Sequence, residues 1–457
     1  MHAYNRTSEI DVFSSCMPRC LCPASTCHIH VSVTSLGSAH VDSMDDIYAK
    51  KFGVRPVINC IGTMTALGGS RMDPSVCEAM QKASRHYVDI NELQRKAGER
   101  IAKLARAPNG YTAYVSSGAS SGLALSVAAC MTRGVTTHVR RLPNTRSVTG
   151  RVVLIDGGSD TRWNQSLATS GAVVIELGSQ RSPMTRMDLE SALQAHKESI
   201  SCFVFFAGGY REGAGLGFDV IRATTSAYQC VLIVDAAAQL PPRSNLWRWT
   251  HGGADIVIFS GGKEIGGPQT TGIVLGRREL IRWIAQNGSP NELTFGRPMK
   301  TSKESIVGVT VALEIFLRRS DEADFERYEW IVSVIKKGLQ GLTGIRSMRI
   351  ECPKDAQIQP NIIPHLFIEV ADSGDSQAVV RQDSVYGHSA DHGDLLAIEP
   401  SSPARTLAYK LIHGNPPVAV NTTSLTEISV NPQTLKREEA SVVVQSIRLA
   451  LKNQSKL

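Results

Sequence analysis

Residues 254–272 read Ala254-Asp-Ile-Val-Ile-Phe-Ser-Gly-Gly-Lys263 and then Glu264-Ile-Gly-Gly-Pro268-Gln-Thr-Thr-Gly272. An apolar run of strand length ends on small residues and one lysine, and a glycine-rich turn follows at once. A lysine at a strand end is by default a solvated surface group. Here the glycines let a ligand approach the backbone, and Ser260 stands three residues before the lysine. A desolvated amine with a hydroxyl nearby is what a Schiff-base lysine needs to hold a phosphorylated aldehyde.

Upstream, Val231-Leu-Ile-Val-Asp235-Ala-Ala-Ala-Gln239 is an apolar run closing on an acid. It reads as a buried strand whose last residue points into a cleft, although such an aspartate can also cap the next helix. Further upstream, Tyr114-Val-Ser-Ser117-Gly-Ala-Ser120-Ser-Gly-Leu-Ala-Leu opens an apolar, small-residue helix running to about Met131. A helix start of this kind offers unpaired N–H groups and a favourable dipole to a phosphate; a serine N-cap with close packing is the alternative. The order Ser117, Asp235, Lys263 decides. It is the order of phosphate cup, pyridinium partner and Schiff-base lysine in fold-type-I (aminotransferase class V-like) pyridoxal 5'-phosphate enzymes. Ser117, Gly118, Ala119 and Ser260 are therefore expected at the phosphate, Asp235 at the ring nitrogen and Gln239 at the ring oxygen. Lys263 is expected to carry the cofactor and to act as general base.

The rest of the chain fits an α/β architecture. From Met44 an arm (44–75) leads to helices from Pro74 to about Arg85 and over 91–104. Apolar strands at 151–155, 172–177, 201–206, 231–235, 255–259 and 272–275 alternate with amphipathic helices such as 187–196 and 220–228. Helical crossovers predict a mainly parallel sheet, seven-stranded in this fold type, with both faces covered. A long helical pattern over 304–319 and 321–341 then leads to a small α+β C-terminal domain, with strands at 348–351, 364–370 and 426–430 and helices at 403–412 and 435–451. The expected division is a disordered extension (1–43), the arm (44–75), a large cofactor-binding domain (76–305), and the linking helix with the small domain (306–457). The segment 372–403, rich in Ser, Asp and Gly, reads as a mobile loop. The glycine-rich run 208–217 follows a strand but lacks a nucleotide fingerprint, and is read as a loop over the cofactor face.

At these residues the chain resembles the selenocysteine-synthase-like pyridoxal phosphate proteins (L-seryl-tRNA selenium transferase-like), nearest to the branch that includes D-glucosaminate-6-phosphate ammonia-lyase. The resemblance is carried by Arg55-Pro-Val-Ile-Asn59 through Ser70, Tyr87-Val-Asp-Ile-Asn-Glu-Leu-Gln94, Val234-Asp-Ala-Ala-Ala-Gln-Leu-Pro-Pro242 and Phe259-Ser-Gly-Gly-Lys263. Gly267-Pro-Gln-Thr-Thr-Gly272, Gly296-Arg-Pro-Met-Lys-Thr-Ser-Lys-Glu304 and His413-Gly-Asn-Pro-Pro-Val extend it over roughly 44–450. It implies Gln269, Thr270 and Thr271 at a partner subunit's cofactor, and therefore at least a homodimer. Thr65, Trp163, Arg297, Lys300 and Lys303 are expected at the substrate, the three bases suiting a carboxylate or phosphate. One departure stands out: relatives carry a Gly-His-Arg run after the strand 152–155, where this chain has Asp156-Gly-Gly-Ser-Asp-Thr-Arg162.

The net charge of +7 comes without a clustered basic stripe, so nucleic acid is not an expected partner. No apolar run reaches spanning length. Of ten cysteines, Cys16, Cys20, Cys22 and Cys27 crowd the start near His28 and His30, but without paired metal-knuckle spacing no metal is expected. The others are scattered singly, as in the cytoplasm; a weak organelle-targeting reading of the N-terminal extension stays open, as does translation from Met44. The expected function is a pyridoxal phosphate-dependent lyase of the ammonia-lyase or dehydratase type, acting by α,β-elimination on an amino acid or amino sugar acid. Racemisation, β-replacement, retro-aldol cleavage and a non-catalytic cofactor-binding role remain open at this point.

Overall fold

The computed structural model describes residues 47–158, 164–179, 181–208, 215–353, 362–371 and 398–452. The chain divides into two compact units, residues 1–54 and 55–457. The described part of the first holds a π-helical turn, Tyr48–Phe52, ended by Gly53 in the left-handed region at φ 66°.

In the second unit, strand β1 (Ile58–Asn59) leads through a 3-10 turn (Thr65–Leu67) to helices α1 (Pro74–Ser84) and α2 (Ile90–Leu104). Strands and helices then alternate: β2 (Tyr111–Ser116), α3 (Ala119–Thr132), α4 (Thr136–Val139), β3 (Val152–Asp156), α5 (Asn164–Ala168), β4 (Val173–Leu177), α6 (Arg186–Ala195) and β5 (Ile200–Phe206). The series continues with α7 (Phe218–Ala227), β6 (Val231–Asp235), α8 (Asn245–His251), β7 (Ile256–Ser260), β8 (Gly272–Arg277) and α9 (Arg278–Asn287). Helices α10 (Lys303–Arg318) and α11 (Asp321–Leu339) follow. Last come β9 (Ile345–Glu351), β10 (His365–Val370), α12 (Pro403–Ile412), β11 (Val418–Ala419), β12 (Asn421–Thr422), β13 (Glu427–Val430) and α13 (Glu439–Lys452).

The main sheet has the order β2-β8-β7-β6-β5-β3-β4. Strands β7, β6, β5, β3 and β4 run parallel, and β8 lies antiparallel between β7 and β2. This is the expected seven-stranded, mainly parallel sheet. Its seventh strand, β2, is one that the sequence reading takes for the approach to a helix. Four of the six residues in Tyr111–Ser116 carry hydroxyls, and the pairing partner β8 lies far along the chain, so no continuous apolar run marks the strand.

Strands β3 and β5 are buried at every residue, because helices cover both faces. Alternation sends Leu154, Phe203 and Val234 to one core and Val153, Val204 and Ile233 to the other. Helix α3 is apolar all round and buried over most of its length, as expected for a central helix. Ile306, Val309, Leu313 and Phe316 of α10 join the core of the large sheet, while Ile331, Val332, Ile335 and Leu339 of α11 join that of a second, antiparallel sheet, β12-β13-β10-β9. Ser302 and Ser320 cap the two helices and set the break between them. Strand β1 pairs in parallel with β11, so the segment after Arg55 starts on the small sheet's side. The N-terminal cysteines and most of the loop read at 372–403 lie outside the described residues.

In β10, His365 is fully buried and stacked on Phe367, and among the described residues neither ring nitrogen has a hydrogen-bond partner. Burial pushes its pKa down to about 4. The folded protein thus binds fewer protons than the unfolded chain below the ordinary histidine value. Stability is complete above about pH 6.5 and falls as pH drops toward 4, by on the order of 3 kcal/mol. Urea unfolding at several pH values should show this loss, and His365→Leu should flatten it.

Candidate active site

Strand topology brings the sequence-distant residues to one edge. Asp235 is the last residue of β6 and pairs in register with Ile258 of β7. Strand β7 ends two residues later at Ser260, and Lys263 lies just beyond, so both candidate residues sit at the carboxyl edge of parallel strands. Strand β8 starts at the same edge, where Gly272 pairs with Ser260 on one side and with Ser116 on the other. A Cβ on Gly272 would lie 2.6 Å from the carbonyl of Gly118. Glycine at 272 is therefore what lets the start of α3 close onto the lysine turn.

That helix start leaves its N-terminus open. Gly118 adopts φ 116°, α3 begins at Ala119, and no side chain caps its N-terminus. The Ser117 hydroxyl donates to Ser121 Oγ at 3.2 Å. Ser117, Gly118 and Ala119 are partly buried at the mouth of a fourteen-residue helix, and its first N–H groups are not taken by a side-chain cap.

Lys263 is held in a compact turn. The N–H of Gly266 donates to the Lys263 carbonyl at 2.9 Å, that of Gly267 to Gly261 at 2.8 Å, and that of Gly261 to Thr271 at 2.8 Å. Burial pushes the Lys263 amine below the ordinary lysine pKa, and the Asp235 carboxylate opposes part of that shift. Asp235 Oδ1 also accepts the N–H of Ala237 at 2.9 Å. A desolvated amine, an oriented carboxylate and a helix N-terminus at one sheet edge are what pyridoxal phosphate requires for its aldehyde, ring nitrogen and phosphate. The residues present fit the group.

Other expected residues are placed differently. Thr271 is fully buried and its hydroxyl donates to the Pro268 carbonyl at 2.5 Å, so within the subunit it holds the turn and presents no free side chain to a cofactor. Gln269 Nε2 donates to the Thr65 carbonyl at 2.7 Å; these two exposed residues tie the 65–70 segment to the lysine turn. Thr270 is exposed. Gln239 Nε2 donates to the Ala207 carbonyl at 3.1 Å, bracing the ends of β5 and β6. Lys303 is engaged by Glu304 and by the Ala83 carbonyl, which removes it from the expected basic triplet; an ion pair to the next residue was invisible in the loop composition. Arg297 and Lys300 have no ion pair among the described residues. Trp163 lies outside the described residues, as does most of the run replacing Gly-His-Arg; Asp156, which opens it, is buried and accepts the Gly158 N–H at 2.7 Å.

Sequence reasoning missed the residues that brace the site. Glu264, beside Lys263, is buried and bound by Arg319, Tyr328 and Gln433. Arg243, in the loop after Asp235, is buried and bound to Asp321 and Asp324. The available signal was a lone acid set between the lysine and an apolar residue, and a lone base after two prolines.

A family model for L-seryl-tRNA selenium transferase matches residues 232–331, which include Asp235, Lys263 and Arg297. The chain is 32% identical over 269 residues to D-glucosaminate-6-phosphate ammonia lyase of Salmonella typhimurium, covering 58% of this chain and 69% of that protein. It is 30% identical to the 5'-C-glycyluridine monooxygenase-decarboxylase of a Streptomyces species, over 59% of this chain and 65% of the relative. The solved structure of D-glucosaminate-6-phosphate ammonia-lyase superposes with a TM-score of 0.70 at 25% identity, covering 90% of this chain and all of that one.

The tightness of the lysine turn gives a direct test. A Cβ on Gly262 would lie 2.4 Å from Gln269 Cα, a backbone atom that cannot rotate away. Gly262→Ala should cost about 1–3 kcal/mol of stability, read by urea unfolding.

Proposed function

Because this chain belongs to the selenocysteine-synthase-like family of pyridoxal phosphate proteins, we propose that it is a lyase acting by α,β-elimination on an amino acid or amino sugar acid. The observation that carries this reading is Lys263, whose burial favours the neutral amine, set beside the Asp235 carboxylate at the sheet edge. When bound, pyridoxal phosphate draws electrons from the substrate's α-carbon and acidifies its proton. Lys263 Nζ accepts that proton. Asp235 keeps a proton on the ring nitrogen, while Ser117, Gly118, Ala119 and Ser260 receive the phosphate oxygens. Arg297 and Lys300, without ion pairs among the described residues, receive the substrate's carboxylate or phosphate. The β-substituent would leave with the proton that Lys263 took, and one water would hydrolyse the resulting enamine, through its imine, to ammonia and a keto acid. The similarity to an ammonia lyase of a phosphorylated amino sugar acid favours that substrate class.

The test joins cofactor and product. Added pyridoxal phosphate should give a visible absorbance band, and borohydride should fix its mass on Lys263; Lys263→Ala should lose both. Incubation with amino acids and amino sugar acids should release ammonia with a keto acid. A D-isomer without ammonia would replace elimination by racemisation, and no product from any of them would sink the enzyme reading.

We also read the protein as at least a homodimer in a reducing, cytoplasmic compartment. Tyr87 and Val88 stand exposed between α1 and α2, and the six described cysteines are all free. No described helix is long and apolar enough to cross a membrane. Light scattering should give a mass near twice 49.5 kDa, and Tyr87→Glu should lower it.

A further inference from the structure

Glu264 follows Lys263 directly, yet it is only 7% exposed. Its carboxylate collects three donors: Arg319 Nη2 at 2.8 Å and the Tyr328 hydroxyl at 3.3 Å on Oε1, and Gln433 Nε2 at 3.0 Å on Oε2. Arg319 donates to both oxygens of Asp324 at 2.9 Å, and Asp324 accepts from Arg243 Nη2 at 2.7 Å. Gln433 comes from the turn after β13, on the side of the small sheet. It is 5% exposed, and its N–H donates to Asn431 Oδ1 at 2.9 Å.

A second grip reaches the lysine turn from the same place. The Ser70 hydroxyl donates to the Gly262 carbonyl at 3.0 Å, so the segment 59–71 is pinned to the lysine turn at one end. Its other end is held by residues 431–434. Asn431 N–H donates to the Cys60 carbonyl at 2.8 Å, and the Thr434 hydroxyl to that of Asn59 at 2.8 Å. Gly62, at φ 104°, lies so close that a Cβ would be 2.5 Å from Asn431 Nδ2. Both routes into the lysine turn converge on one short turn.

We propose that Glu264 and Gln433 are positioning residues for Lys263: through their contact, the turn at 431–434 holds the lysine turn in its buried position. This rests on Lys263 being the reactive lysine. A buried carboxylate with three donors has no comparable second arrangement, so the backbone that carries it, and Lys263 with it, is fixed. The action is mechanical. The groups that shift the Lys263 amine are its own burial and Asp235, and Glu264 is not among them. Loss of the anchor therefore changes Lys263 by letting water reach it.

The test reads the amine itself in the full-length chain stripped of cofactor. Competitive labelling with acetic anhydride across the neutral to alkaline range, read by mass spectrometry of the Lys263 peptide, gives its titration midpoint. In Glu264→Gln, and in Gln433→Leu, which removes the donor at similar volume, the midpoint should rise toward that of an ordinary lysine. Circular dichroism should show both variants folded at the labelling temperature. An unchanged midpoint in a folded variant overturns the proposal, since a merely structural contact would lower the unfolding midpoint and leave the titration in place. Should Glu264→Gln fail to fold, Gln433→Leu decides alone, because it leaves the Arg319 and Tyr328 bonds intact. Failure of wild type to form a visible band with pyridoxal phosphate would instead overturn the cofactor reading, and the labelling result would stand apart from it.

Discussion

A chain of charges, Glu264–Arg319–Asp324–Arg243, in which Arg319 is exposed and the other three are buried, is the constraint that ties together the two loops of the candidate site. Its two ends lie in the two loops that matter most: Glu264 in the turn that carries Lys263, Arg243 in the loop that follows Asp235. Its middle lies at the junction of α10 and α11, where both guanidinium groups also stack on Phe316, with centroid distances of 4.6 and 5.6 Å. Buried ion pairs give little net stability against an apolar replacement, but removing one partner strands the other and is costly. Such a network acts as a locator. It holds two loops that the sheet alone would only bring near each other.

The sheet supplies the rest by geometry. Parallel strands β6 and β7 end side by side, so whatever follows them shares one edge. The antiparallel strand β8 brings Gly272 between Ser116 and Ser260, which docks the start of α3 against the lysine turn. Glycine at 262 and 272 permits backbone approaches that any side chain would block. Desolvation of Lys263 follows from this packing, and with it the downward shift of its amine's pKa.

Much of this was legible in the chain. Apolar runs ending in Asp235 and Ser260 announced strands, which end at one sheet edge, and Ser117-Gly118-Ala119 announced a helix start without bulky side chains. The helices read at 187–196, 220–228 and 403–412 are found at Arg186–Ala195, Phe218–Ala227 and Pro403–Ile412, because periodicity is local. Strand β2 was not legible, because its identity depends on pairing with β8. Nor were the engagements of Lys303, Gln269 and Thr271, since a side chain's partner is a matter of three-dimensional neighbours.

The sequence by itself determined most of the element types, β2 excepted, and the order of Ser117, Asp235 and Lys263, because propensity, periodicity and residue type act over a few residues. Only the tertiary structure decided which charges are buried, which polar groups are already engaged, and that Glu264 looks to Gln433 while its neighbour Lys263 is influenced by Asp235. Burial and partnership are set by contacts between residues far apart in the chain, and the free energy of a charge depends on those contacts more than on its neighbours in sequence.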